Sequence, residues 1–432
     1  MTEVSTEVFE SKEYKLSRNA YRLECTFEYF VSLLVTDAFL AALLTHIGVS
    51  DAVAGIISSF ISFAFLFQIL SIFTVRKVSN TKRFVIIFHS LSQLLFMALY
   101  LVPFLPFAFE FKQTAIIVCI LLAYFGNYFV NSMIYKWANS YVDPHKRASY
   151  SAGKEMISLI SGMVMTMILG YAMDRFEMSG NTEGGFIFAA AAILIFGISD
   201  FICLMLIKND IKPKETKKEI PLKTVLRKTL GNKNFVNTLI FYVIWEVARY
   251  TTVGFLGTYR IKELMYTVGA VQIVNVVASF ARFSFSKPIG RYSDKTSYAR
   301  GLELGLIIAA SAFAVNIFTA PETRLLMIVY TILFSIGISG INQNFINIVY
   351  SYVDSDFFVE ASAIKNSIGG LCGFIASLAA SRLLSYVQSN GNMLFGIHVY
   401  GQQVLSLISL VLMIVAILFN RFVIQKQKVM IQ

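Results

Sequence analysis

The sequence predicts an all-α membrane protein in which twelve transmembrane helices form two parallel six-helix repeats. Three observations lead there. The 432-residue chain is 56% hydrophobic and only 15% charged, whereas soluble domains carry about 25% charged residues. Apolar runs long enough to cross a bilayer recur from end to end. The tetrapeptide Ser-Tyr-Val-Asp occurs at 140–143 and again at 351–354, an offset of 211 residues.

Taken in order, residues 1–24 are polar and form a cytoplasmic N-terminal segment with no cleavable leader. Six spans follow at 25–47, 51–75, 84–104, 113–135, 155–174 and 185–207, which together make an N-terminal half, 25–207. Residues 208–234 form a basic linker. Within it Pro221 sits near a helix start, and Leu222, Val225, Leu226 and Leu230 share one face, the pattern of an amphipathic helix at the inner membrane surface. A C-terminal half, 235–420, holds spans at 235–258, 267–289, 302–320, 325–349, 366–386 and 397–420, and a cytoplasmic tail closes the chain at 421–432. The runs are continuous, as in Ala189–Ile198, rather than alternating, so they read as helices and not as barrel strands.

Extending the tetrapeptide match without gaps gives 11 identities over the 37 positions from 126 to 162. Gly126, Asn131, Ser151, Ala152, Lys154, Ile157 and Gly162 recur as Gly337, Asn342, Ser362, Ala363, Lys365, Ile368 and Gly373. Shared apolar composition does not reproduce matched Asn, Asp and Lys. Six spans per copy return each copy to the same side, which makes the repeat parallel.

Of the 37 Lys and Arg residues, 29 fall on one set of alternate connections and six on the other, with Arg249 and Arg282 inside spans. That bias marks the basic side and both termini as cytoplasmic. The net charge of +11 therefore reports topology, and no nucleic-acid partner is needed to explain it. Cys25, Cys119, Cys203 and Cys372 have no paired spacing and read as packing residues. No metal, nucleophile or phosphate-loop motif is present, His89 and His398 have no ligand spacing, and neither an enzyme nor a cofactor is expected.

The connection after span eight reads Gly-Arg-Tyr-Ser-Asp-Lys, 290–295. With the span count, the basic centre and the duplication, it resembles the major facilitator superfamily over nearly the whole chain. The family signature in this loop is G-x-x-x-D-[RK]-x-G-[RK]-[RK]. Gly290, Asp294 and Lys295 match it, and Ser297 stands in place of the second glycine. The corresponding first-half loop keeps the charge but has no Asp or Gly. The resemblance implies a cytoplasmic gate, with Asp294 facing the start of span five. Arg76 and Lys77 would oppose Asp354, Asp356 and Glu360 across the other pair of loops.

Ionisable groups within spans are default functional candidates. Asp37 in span one and Glu246 in span seven occupy equivalent helices of the two halves, and Arg249 lies one turn beyond Glu246. Arg282 in span eight and Asp200 in span six are further cases. Asn131, Asn342 and Gln343 offer amides to a solute or to a neighbouring helix, and Trp245 either stacks on a substrate or faces lipid. Gly369 and Gly373 have the spacing of close helix packing. The expectation is a monomeric secondary transporter of the cell membrane, in contact with lipid. It would move a small organic solute by alternating access with a coupling ion, the proton first. A drug or metabolite exporter of the same fold is one alternative, and a non-transporting receptor or scaffold another.

Overall fold

The computed structural model describes residues 9–68, 78, 80–143, 147–209, 222–352 and 358–427. The chain is almost entirely helical. Eleven helices among the described residues are long and apolar enough to cross a membrane, and Asp51–Ala64 is a shorter apolar helical stretch at the expected second span. The chain is thus a multi-pass membrane protein of two six-helix repeats.

In the first half, helices α1 (Lys12–Leu34) and α2 (Asp37–Ile47) make up span one. α1 begins well before residue 25, because its polar first turns have work to do inside the protein. Ser11 caps it, and Ser17, Ala20, Tyr21 and Glu24 are buried. The Ser17 hydroxyl accepts from the Lys208 amide at 3.1 Å, and the Arg18 carbonyl accepts from the Tyr150 hydroxyl at 2.6 Å. Hydropathy alone sees only the lipid-length part of such a helix. Between α1 and α2 the backbone breaks. Asp37 takes a positive φ of 47°, sparsely populated for a non-glycine residue although Asp tolerates it better than most. The Tyr100 hydroxyl donates to the Leu34 carbonyl beside the break. α2 ends at Gly48, whose φ of 89° lets its amide reach the Leu44 and Thr45 carbonyls.

The remaining elements are α3 (Asp51–Ser58), α4 (Phe60–Ala64), α5 (Thr81–Leu101), α6 (Phe109–Asn139), α7 (Arg147–Met178) and α8 (Thr182–Leu206). The linker carries α9 (Leu222–Gly231). The second half has α10 (Lys233–Thr252), α11 (Val268–Lys295), α12 (Tyr298–Asn316), α13 (Leu326–Tyr350), α14 (Phe358–Ser389) and α15 (Gly401–Phe422). A two-residue hairpin, β1 (Met393–Leu394) with β2 (Ile397–His398), precedes α15.

Two compact units emerge, Met1–Gly48 with Phe67–Lys218, and Val49–Leu66 with Glu219–Gln432. In the first, α1 packs on α7 and α8, and α5 packs on α6 and α8. In the second, α10 packs on α14 and α15, and α12 packs on α13 and α15. These are the same four pairings, first with fifth and sixth, third with fourth and sixth. The sequence duplication is therefore a duplication of packing. Trp137, Tyr141 and Val130 anchor the first core, and Trp245, Phe313 and Tyr330 the second.

The second unit also holds the stretch Val49–Leu66, fastened along its length. Lys262 reaches Asp51 Oδ1 at 2.7 Å and the Val49 carbonyl at 3.0 Å, while Gln388 donates to Asp51 Oδ2 at 2.8 Å. The Ser381, Ser62 and Ser367 hydroxyls bond the carbonyls of Ala52, Gly370 and Phe65 at 3.0, 2.7 and 2.9 Å. A Cβ at Gly370 would run into the Ser62 carbonyl, so the small residue permits the approach. Asp51 is only 6% exposed, and removing its cation strands a buried carboxylate. Lys262→Ala should cost about 1–3 kcal/mol, since one hydrogen bond from Gln388 remains. The measurement is thermal unfolding in detergent. Asp51→Asn in the Lys262→Ala background should recover part of the loss, and an unchanged melting temperature in the single variant would contradict this reading.

Candidate functional site

The best-formed charge cluster of the second unit lies where α10 meets α14. Asn232 caps α10 by accepting from the amides of Asn234 and Phe235 at 3.0 and 3.3 Å. Tyr242, Glu246, Arg249 and Tyr250 then follow at helical spacing on one face. Gly369 and Gly373 let α14 come close: a Cβ at Gly369 would strike the Tyr242 ring and press on Glu246 Cγ, and one at Gly373 would strike the Tyr250 ring.

One turn before Gly369, Lys365 is drawn into this contact. Its ammonium lies 4.3 Å from the centre of the Tyr242 ring and 4.7 Å from that of Phe345, in cation–π range of both. Lys365 is 9% exposed and Glu246 2%. Glu246 interacts electrostatically with both Lys365 and Tyr242. Its Oε1 is 3.8 Å from Arg249 Nη1, too long for a hydrogen bond but within ion-pair range, and its Oε2 accepts no hydrogen bond among the described residues. Arg249 is partly exposed and lies 5.0 Å from the Tyr250 ring centre. Two cations thus share one buried, under-bonded carboxylate.

The first unit repeats the geometry with one substitution. Lys154 of α7 lies 4.5 Å from the Tyr21 ring centre, 3.4 Å from its hydroxyl and 3.2 Å from Cys25 Sγ. A Cβ at Gly162 would strike the Tyr29 ring. Tyr21, Cys25 and Tyr29 correspond to Tyr242, Glu246 and Tyr250 at an offset of 221, and Lys154 and Gly162 correspond to Lys365 and Gly373 at 211. The aromatic frame and the lysine are kept in both halves, and the carboxylate is present in one.

The other sequence candidates fall in varied places. Asp37 is half-buried in the first turn of α2, where helix amides and the dipole favour a carboxylate. Arg282, Asn131, Asn342 and Gln343 are exposed along α11, α6 and α13. Trp245 is neither lipid-facing nor open to a ligand. It is 1% exposed and stacks on Phe334 at 6.4 Å inside the core, packed against the neighbouring helices of the second unit. Gly290 is half-buried, and a Cβ there would meet Gln343, so it reads as a packing position between α11 and α13. Asp294 and Lys295 are exposed at the end of α11. Arg76, Lys77, Asp354 and Asp356 lie outside the described residues, as does the side chain of Glu360.

Sequence reasoning missed a second buried cluster. Glu24 of α1, His89 of α5 and Asp200 of α8 are each no more than 1% exposed and converge in the first unit. His89 Nε2 is 2.8 Å from Asp200 Oδ2 and 3.2 Å from the Gln93 amide nitrogen. Gly197 makes room, since a Cβ there would lie 3.2 Å from Gln93 Cβ. Glu24 fell at the edge of the polar N-terminal segment, and His89 was passed over for lack of local ligand spacing. The three come from three helices, so no spacing pattern could join them.

A balance of charges in the second-unit cluster can be tested directly. Lys365→Met leaves Glu246 with Arg249 as its only cation, and should lower thermal stability more than Glu246→Gln does. The double variant should lie above the lysine single. A partly buried pair of this kind is worth about 1–3 kcal/mol. Additive effects would show that Lys365 and Glu246 do not interact.

Comparison with known proteins places this geometry in context. The family model described as Major Facilitator Superfamily matches residues 25–377. Among solved structures, the nucleoside transporter NupG superposes with a TM-score of 0.70 at 13% identity, covering 97% of this chain and 100% of that one. A bacterial homolog of the human lysosomal transporter Spinster gives 0.68 at 14% identity, with 95% and 96% covered. An auto-inhibited POT-family peptide transporter gives 0.68 at 11% identity, with 97% and 98% covered. No curated protein sequence matches the chain.

Proposed function

The chain belongs to the Major Facilitator Superfamily and is a membrane transporter, and from that premise we propose that it moves a small organic solute by alternating access, driven by a proton gradient. The observation that carries the proposal is Glu246, a carboxylate 2% exposed that faces two cations and has an oxygen without a hydrogen bond among the described residues. When ionised, it is held by Lys365 and Arg249. When protonated, it releases them to a solute anion or dipole. A change in hydration or in the cations' partners during the transport cycle then moves the proton. Asp37, half-buried at a helix break, is the second candidate. The transporter sits in the cell membrane with both termini cytoplasmic, a topology supported by the bias of basic residues. The structural relatives, a nucleoside transporter and a peptide transporter, make nucleosides and peptides the first solutes to screen.

Two measurements test this. With the four native cysteines removed, a cysteine at Ser179 should label from outside and one at Lys217 only from inside. Reversed labelling would overturn the topology. For coupling, a solute found by thermal shift is followed in proteoliposomes. Glu246→Gln should lose pH-driven accumulation by roughly tenfold or more, an effect of about 1.4 kcal/mol, while keeping counterflow exchange. Full accumulation in both Glu246→Gln and Asp37→Asn would remove these acids as proton carriers.

A further inference from the structure

The cluster of Glu24, His89 and Asp200 belongs to the first unit, whereas Glu246 belongs to the second, and its atoms do not balance by hydrogen bonding alone. Among the described residues, both Glu24 oxygens, Asp200 Oδ1, Gln93 Oε1 and His89 Nδ1 have no hydrogen-bond partner. The Cys25 thiol beside Glu24 is at most a weak donor. Four buried acceptors therefore face one small group of donors. His89 Nε2 compounds the mismatch, because it lies 2.8 Å from a carboxylate oxygen and 3.2 Å from an amide nitrogen. If Nε2 carries a proton it confronts the amide N–H, and if it does not, its lone pair confronts the carboxylate. Turning the Gln93 amide over exchanges its nitrogen and oxygen and removes this conflict at Nε2. A carbonyl oxygen then stands beside the His89 imidazole, which has a ligand atom within 4.8 Å of ligand oxygens of Glu24 and Asp200.

We propose that Glu24, His89 and Asp200, with the Gln93 carbonyl as a fourth donor, form a buried site for a divalent transition-metal ion that clips α1, α5 and α8 together. The ligand atoms of Glu24, His89 and Asp200 all lie within 4.8 Å of one another. A tetrahedral ion with bonds of ~2.1 Å sets its ligands ~3.4 Å apart, so the site closes by about an ångström through the Glu24 rotamer, and the His89–Asp200 contact opens slightly. One imidazole with carboxylate and amide oxygens suits a borderline or hard ion such as Zn²⁺ or Mn²⁺ better than a soft one, since no thiolate is among the ligands. One such ion supplies the two positive charges that two carboxylates require and engages four acceptors at once. A single proton engages one. Glu28, whose charge is also felt at His89 and Glu24, adds to the demand for a cation.

The probe is Zn²⁺ or Mn²⁺ itself, applied to the full-length protein in detergent. After loading and desalting, the wild type should retain about one ion per chain by elemental analysis. His89→Gln, Asp200→Asn and Glu24→Gln should each bind it at least ~10-fold more weakly, the scale on which even outer partners of a ligand matter. Chelation should lower the melting temperature of the wild type, and added metal should restore it, with the variants insensitive to both. If a variant fails to fold, chelation and reloading of the wild type still decide. Three results would overturn the proposal. One is a wild type that retains no ion and melts identically with chelator and with metal. Another is a metal content that all three variants leave unchanged. The third is a carboxylic-acid infrared band in metal-treated wild type that disappears in Glu24→Gln, which assigns the second charge to a proton.

Discussion

A lysine from the fifth helix of a half, held over a tyrosine ring of the first, is the contact on which the rest of each unit depends. Lys154 with Tyr21 and Lys365 with Tyr242 set a positive charge against the bundle, half-buried in the first unit and buried in the second, and the ring faces replace part of its hydration. The helices must come close for this to happen, and Gly162 and Gly373 make the approach possible one ring further on. Once the cation is buried, its surroundings are constrained. One half answers with a thiol at Cys25, the other with a carboxylate at Glu246. Two copies of one scaffold thereby carry different chemistry, a thiol beside the lysine in one and a carboxylate in the other.

How much of this was legible beforehand depends on the kind of signal. The helical class, the spans and the duplication were all readable, because long apolar runs and matched polar residues are local or fixed-offset patterns. The boundary of α1 was not, since Ser17 and Glu24 are polar residues buried by partners that lie far along the chain. Trp245 was misjudged for a related reason: a large amphipathic ring can face lipid, ligand or core, and only the packing of α10 decides. The Lys365 pairing was half visible. Lys154 and Lys365 stood in the repeat, but the first helices are offset by 221 rather than 211, so the tyrosines fell outside the gapless match. The strings Tyr21–Tyr29 and Tyr242–Tyr250, each with tyrosines eight apart and a polar residue midway, were the signal that a gapped comparison would have found.

The buried charges also divide by whether they are balanced. Asp51 has a close ion pair with Lys262 at 2.7 Å and a hydrogen bond from Gln388 at 2.8 Å, and behaves as a fastening. Glu246 is held more loosely, by a long ion pair with Arg249 at 3.8 Å and a hydrogen bond with Tyr242, and its Oε2 accepts no hydrogen bond among the described residues. Structural ion pairs persist because removing one partner is costly, whereas a group that changes charge in use has to tolerate both states. That distinction, rather than the mere presence of an acid in a span, is what singles out Glu246. It also separates the Glu24, His89 and Asp200 cluster, where the imbalance involves several acceptors and calls for more than a proton.

The central claim is that Glu246 exchanges a proton as solute engages the cations beside it. The most direct measurement is the pH change of a weakly buffered solution when a confirmed solute is added to purified protein, normalised to the amount bound. The account predicts a proton transfer linked to binding that disappears in Glu246→Gln while binding itself persists. The same proton transfer in Glu246→Gln as in the wild type, or none in either, would contradict it.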